Sequence, residues 1–241
     1  MIVGDGRPVL VTQRIAIDTA TGEARDALAH DWALWLNSHG LTAVPVPNAL
    51  EQPVALLDAI QPIGLILSGG GDVGTIDVSP SGPLGNARVR DLAPETCRDR
   101  TESLLLAAAI RRRLPVLAVC RGMQFINAFF HGAISPRIAA PNGPHARPGT
   151  SHLVRLEPTL APGCLPDRQR EAPTRSFHDH GVLAGGVARN LLAFASTADG
   201  AIEGLRHNRL AIIGVQWHPE REPDHPWSTA LLQAAFPGTI A

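Results

Sequence analysis

Short apolar runs alternate with longer amphipathic ones along this chain, and the two spacings read as strands and helices. "PVLVTQ" (Pro8–Gln13) predicts a first buried strand. "ARDALAHDWALWLNSHG" (Ala24–Gly40) puts Leu28, Trp32, Trp35 and Leu36 at helical spacing and stops at a glycine, predicting one helix. "LTAVPVP" predicts an edge strand, because its prolines lack the N–H that a central strand must donate. "VALLDAI" predicts a brief helix and "IGLILS" from Ile63 a buried strand. The longest helical pattern, "ETCRDRTESLLLAAAIRRR" (Glu95–Arg113), ends before Pro115 and leads into the strand "VLAV" (Val116–Val119). "RGMQFINAFF" (Arg121–Phe130) returns at once to a helical pattern. Later strand signals lie in "SHLVRLEP", "TRSFHDH", "LLAFAST" and "LAIIGVQW" (Leu210–Trp217), with a terminal helix in "WSTALLQAAF".

Strands alternating with helices predict a parallel sheet covered on both faces, with ligands gathering beyond the carboxyl ends of the strands. No internal repeat or compositional break divides the sequence, so one domain over 1–241 is expected. Two stretches lack periodicity. Asp77–Leu92 is turn-rich and reads as a surface crossing, and "PRIAAPNGPHARPGT" (Pro136–Thr150) reads as an excursion or lid.

Composition narrows the chemistry more than the fold. Hydrophobic residues at 44% and charged residues at 18% describe a globular protein, and 241 residues suffice for one substantial core. All 21 basic residues are arginines, set against 22 acids for a net charge of -1. That balance argues against a nucleic-acid partner. The absence of lysine excludes Schiff-base chemistry and phosphate-loop lysines. "RRR" (Arg111–Arg113) suits a helix C-terminus. Cys97, Cys120 and Cys164 are too few and too scattered for a disulfide scaffold. Neither a signal-peptide pattern nor an apolar run of about 18 residues is present, so a cytoplasmic protein without a membrane partner is expected.

Three short stretches carry candidate chemistry. Cys120 stands between "PVLAV" and "RGMQFIN", with Gly122 two positions later, in a strand–turn–helix frame resembling a nucleophile elbow. A thiolate there gains from the helix dipole and unpaired amides. The frame alone serves equally well for a small buried hydrophobe. "GVQWHPE" (Gly214–Glu220) breaks that tie, because it places His218 at a second strand end with Glu220 two residues on. One ring nitrogen can take the thiol proton while Glu220 orients the other, a nucleophile–base–orienter division of labour. "LSGGGDV" closes a third strand. Its glycines let the backbone pass close to a substrate, so Gly70, with the amide of Arg121, is the candidate oxyanion donor.

These blocks resemble the signatures of class I glutamine amidotransferases over most of Pro8–Glu220. "RDRTESLLLAAAIRRRLPVLAVCRGMQ" is similar to the standalone γ-glutamyl hydrolase branch, peptidase family C26. The resemblance implies an α/β three-layer sandwich, flavodoxin-like, around a mostly parallel sheet. It implies Cys120 as nucleophile, His218 as base, Glu220 as orienter, Gly70 and Arg121 as oxyanion donors, and Gln124 near a γ-glutamyl group. Departures include Ala118-Val119 before the nucleophile and His131-Gly132 where the family has paired glycines. "RSFHDHG" (Arg175–Gly181) replaces an "NSxHHQ"-like stretch and looks more like hydrolases of the γ-glutamyl-CDP-amidate type.

The implied activity is cleavage of a small γ-glutamyl conjugate to glutamate and a free amine. The alternative is a glutaminase subunit feeding ammonia to a partner ATP-dependent synthetase. A binding module that retains an inherited cysteine is a third, non-enzymatic reading. His178 is expected to touch substrate, and Arg175 would attract an anion if it pointed inward. No cofactor is required, since a thiolate and two donors suffice. His131, His145, His178, Asp179 and His180 could in principle bind zinc. His178 and His180 would point opposite ways on a strand, so no metal is expected. The expected partners are a small-molecule γ-glutamyl substrate and, at most, a second copy of the chain as a homodimer.

Overall fold

The computed structural model describes residues 6–74, 78, 87–89, 92–136, 138, 149–159, 161–162 and 170–240. The chain opens with β1 (Arg7–Thr12) and a hairpin of β2 (Arg14–Ile17) and β3 (Ala24–Ala27), followed by α1 (His30–Ser38) and β4 (Leu41–Val46). Next come α2 (Ala55–Ile60), β5 (Gly64–Leu67), α3 (Pro94–Arg112), β6 (Val116–Val119) and α4 (Arg121–Phe129). The remainder comprises β7 (Thr150–Leu156), β8 (Glu171–Ser176), β9 (Val182–Leu183), β10 (Leu191–Ser196), β11 (Ala201–His207), β12 (Ile212–Val215) and α5 (Ser228–Ala235).

A ten-stranded sheet in the order β4-β1-β5-β6-β12-β11-β10-β7-β8, with β9 on β11, forms the middle layer. The period of two along its central strands sorts side chains onto opposite faces. Val9, Val11, Ile66, Leu117, Val119 and Val215 pack in a core with Trp32 and Trp35 of α1 and Leu231 and Leu232 of α5. Leu10, Leu65, Leu67, Val116, Ala118 and Ile212 join Leu105 and Leu106 of α3 and Phe125 of α4 in the other. The central strands β5, β6 and β12 are therefore apolar throughout, as a doubly covered sheet requires. The result is the expected three-layer α/β sandwich.

The strands from β4 to β12 run parallel, whereas β11, β10, β7 and β8 continue the sheet antiparallel. Two local expectations are corrected. The stretch Ala24–Gly40 is not one helix, because Ala24–Ala27 pairs as β3 with β2. A turn in which the Asp18 carboxylate accepts the Ala20 and Thr21 amides closes that hairpin. Asp26 is held there by the Asn48 amide and side chain. The second correction is β11, whose "AIEGLRH" gave no strand signal of its own yet pairs between β12 and β10.

The edge position of β4 is as its prolines imply. Arg111 and Arg112 occupy the last turn of α3, and Arg112 pairs with Asp58 at 2.9 Å. Most of Asp77–Leu92 and of the Pro136–Thr150 excursion lies outside the described residues, as do His145 and Cys164. Among the described residues no helix is long and apolar enough to cross a membrane.

Candidate active site

The neighbouring parallel strands β5, β6 and β12 end close together at one edge of the sheet, and the candidate residues sit just past them. Cys120 follows β6 directly, and its amide donates to the Val215 carbonyl at 2.8 Å, extending the ladder by one residue. The chain then turns into α4 at once, which forces Cys120 to φ 55°, ψ −110°. That backbone costs a non-glycine residue on the order of 1–3 kcal/mol and is held only by strong surroundings. Gly122 supplies part of them, because a Cβ there would lie 2.2 Å from the Leu67 carbonyl oxygen. The absent side chain lets the first turn of α4 seat against the end of β5. Cys120 thus stands at the N-terminus of α4, almost fully buried.

His218 and Glu220 follow β12, the strand paired in register with β6. His218 Nδ1 lies 2.6 Å from Glu220 Oε1, and both residues are buried. Burial by itself lowers the His218 pKa. The charge and hydrogen bond of the Cys120 sulfur, with the Glu220 carboxylate behind the ring, outweigh it and hold His218 up at about 9. Phe177 packs nearly perpendicular to the imidazole at 5.5 Å between ring centres, and the Arg221 guanidinium lies over the Phe177 ring at 4.5 Å. The ring is thereby fixed between a carboxylate and an aromatic wall.

The glycine loop closes the site from β5. Gly70 and Gly71 adopt φ 88° and 72° and line the cavity with Cys120. Behind the loop lies a buried charge network that sequence reasoning missed. Arg98 of α3 donates to the carbonyls of Ser68, Gly69 and Gly70 and to Glu102 at 2.9 Å. Glu102 also accepts from Thr12 at 2.7 Å and from the Arg121 guanidinium, which pairs with Asp99 as well. Burial would raise the Glu102 pKa, but Arg121 and Arg98 together hold it below the usual carboxylate range. Asp99, with less cationic support, is instead raised by its burial. Burial and the nearby Arg121 charge lower Arg98 only to about 10, so it stays a cation. The available signal was the Arg98–Glu102 spacing of four, a helical ion pair, within "RDRTE".

Cys120, His218 and the glycine loop line a cavity of ≈ 340 Å³. Gln124 lines it, its amide donating to the His180 carbonyl at 2.8 Å and to Gln216 at 3.2 Å. His178 also lines it, with Nδ1 donating to the His180 carbonyl at 3.0 Å and Nε2 lying 3.7 Å from Glu203 on β11. Burial pushes the His178 pKa down to about 4, so its ring is neutral at pH 7. Arg175 is not brought into the site. Its side chain is 62% exposed and faces Glu222. Arg14 and Arg221 supply the cavity's guanidinium groups instead. Cys97 is buried away from the site, near the carbonyls of Val89 and Leu92.

This α/β sandwich is the fold of the class I glutamine amidotransferases. Within that class the chain belongs to the peptidase C26 family, which matches residues 11–220. It is 31% identical to the glutamine amidotransferase-like protein YvdE of Lactococcus lactis over 76% of this chain and 75% of that protein. Against the gamma-glutamyl-CDP-amidate hydrolase of Campylobacter jejuni it is 25% identical, covering 88% of this chain and 89% of the relative. A glutamine amidotransferase structure from Thermotoga maritima superposes with a TM-score of 0.58 at 12% identity, covering 94% of this chain and 83% of that one. The coarse activity follows from the family: cysteine-dependent hydrolase or amidotransferase chemistry on a γ-glutamyl-like group.

Proposed function

We propose that the protein hydrolyses the γ-glutamyl amide bond of a small conjugate through a γ-glutamyl thioester on Cys120. The observation that carries this reading is the Cys120–His218–Glu220 constellation, a strained thiol beside an imidazole braced by a carboxylate at 2.6 Å. His218 starts protonated, as its raised pKa requires at neutral pH. With its proton already on His218, the Cys120 sulfur attacks the γ-carbonyl carbon, forming the S–C bond and pushing the carbonyl electrons onto oxygen. The Gly70 and Arg121 amides receive that oxyanion, the Arg121 amide having no partner within α4 because it opens that helix. The carbonyl re-forms as the C–N bond breaks, and His218 gives its proton to the departing amine. A water molecule then loses a proton to His218 and attacks the thioester. The C–S bond breaks, releasing glutamate and restoring the thiolate–imidazolium pair.

Gln124 and His178 both line the cavity, and in this reading Gln124 contacts the γ-glutamyl chain and His178 the amine side. Resemblance to the γ-glutamyl-CDP-amidate hydrolase favours a conjugate over free glutamine, while the likeness to YvdE keeps the glutaminase-subunit reading in view. One experiment tests both. Wild type, Cys120→Ala and His178→Ala are assayed against glutamine, simple γ-glutamyl amines and nucleotide-linked conjugates, with kcat/KM measured for each. Cys120→Ala should lose turnover on every substrate while keeping its fold. Full activity in that variant overturns the mechanism. Preference for glutamine, with stimulation by a synthetase, would select the alternative.

A further inference from the structure

Arg98 is a fully enclosed cation whose guanidinium reaches three consecutive carbonyls of one loop. One amino group donates to Ser68 O at 2.6 Å and reaches Gly69 O at 3.3 Å, and the other donates to Gly70 O. Its Nε is spent on Glu102, so the side chain cannot swing away without unpairing that carboxylate. Glu102 is itself pinned by Thr12 and Arg121, and Thr12 bonds Ser68 through both its hydroxyl and its carbonyl. The brace therefore spans β1, β5, α3 and α4.

Peptide geometry turns this brace into a directional device. In a planar trans peptide the carbonyl of one residue and the N–H of the next point to opposite sides. With the Gly69 and Gly70 carbonyls drawn toward Arg98, the Gly70 and Gly71 N–H groups face away from it. Both residues line the cavity that holds Cys120. We propose that Arg98 is the positioning residue of the oxyanion-binding loop, fixing its carbonyls from behind so that its amides face the reacting carbonyl. This rests on the thioester reading above, in which Gly70 supplies an oxyanion donor.

The test uses the full chain as wild type, Arg98→Lys and Glu102→Gln. Lysine keeps the charge but has no fork to span three carbonyls, and glutamine loosens the Nε end of the brace. Three quantities are measured. Single-turnover release of p-nitroaniline from γ-glutamyl-p-nitroanilide reports acylation, which needs the oxyanion site. Alkylation of Cys120 by iodoacetamide, a displacement at saturated carbon, needs the thiolate but no oxyanion site. Amide hydrogen exchange over residues 65–74 reports the brace directly.

Both variants should lose roughly 10²-fold in acylation, about the effect of removing one oxyanion donor. Alkylation should stay within about 3-fold of wild type, and loop exchange should rise about 10-fold or more, with α4 unchanged in Arg98→Lys. Acylation and alkylation falling together, or loop exchange at the wild-type rate, overturns the proposal. If Arg98→Lys does not fold, Glu102→Gln decides by the same criteria. A wild type that releases no p-nitroaniline defeats the thioester reading, while the exchange measurement still decides whether Arg98 orders the loop.

Discussion

Gly69 lies against the imidazole of His218 so closely that a methyl group on its Cα would sit 2.7 Å from the ring Cε1. The same methyl group would sit 3.2 Å from Cys120 Cβ. The contact falls on the stiff edge of a buried ring held by Glu220 and Phe177, so the neighbour cannot yield cheaply. Gly69→Ala should displace the imidazole and cut kcat/KM by about 10²-fold, the usual scale for an ångström of misplacement. Circular dichroism and thermal unfolding check that the fold persists. Unchanged kinetics would mean that His218 does not act from this position.

Glu220→Gln preserves the shape behind His218 but removes the carboxylate facing Nδ1. An orienting carboxylate of this kind is worth about 10⁴-fold in kcat. The expected result is a loss of that order with KM changed much less. A fall confined to KM would place Glu220 in substrate binding instead.

The pH profile should depend on the leaving group. His218 is raised from 6.5 to about 9, so its proton is favoured by the folded site. The stabilisation from this charged pairing is complete below pH 6.5 and is lost as pH rises through about 9. A poor leaving group such as an alkylamine needs that proton, so its kcat/KM should fall above about pH 9. A γ-glutamyl p-nitrophenyl ester leaves as a stable anion and should hold its rate there. Coincident profiles for the two substrates would rule out His218 as the proton donor.

Acid should weaken the fold through His178. Its pKa is lowered from 6.5 to about 4, chiefly by burial, so between those values the unfolded chain binds a proton that the native site refuses. Stability therefore falls with pH across that window, by about 2 kcal/mol from this residue between pH 7.5 and 5. Urea unfolding of wild type and His178→Gln at both pH values isolates the contribution. The variant should lose less stability on acidification by that amount, and equal losses would contradict the assignment.

The elbow was legible in the sequence because its parts are adjacent. Val116–Val119, Cys120 and Gly122 display a switch of period and a small residue within seven positions. His218 was legible for a related reason: it closes a strand whose apolar run needs no partner to be recognised. The β2–β3 hairpin and β11 were not, because their strand character comes from remote pairing rather than local pattern. The helical pattern around "RDRTE" does not say which way its charges face. Only the packing of α3 under the glycine loop shows that Arg98, Asp99 and Glu102 face inward.

The parallel pairing of Ile212–Val215 with Val116–Val119 makes Cys120 and Gln216 the next positions on adjacent strands, with His218 two residues farther on. The separation of sulfur and imidazole is thus metered by a count of residues from two matched starting points. Apolar substitutions within either run leave that count intact. Deleting one residue from either run withdraws its reactive group by one rise, about 3.3 Å, and exchanges the two faces of that strand. Along these eight positions a change of length moves the reactive groups themselves, whereas a change of side chain acts only through the packing of the core.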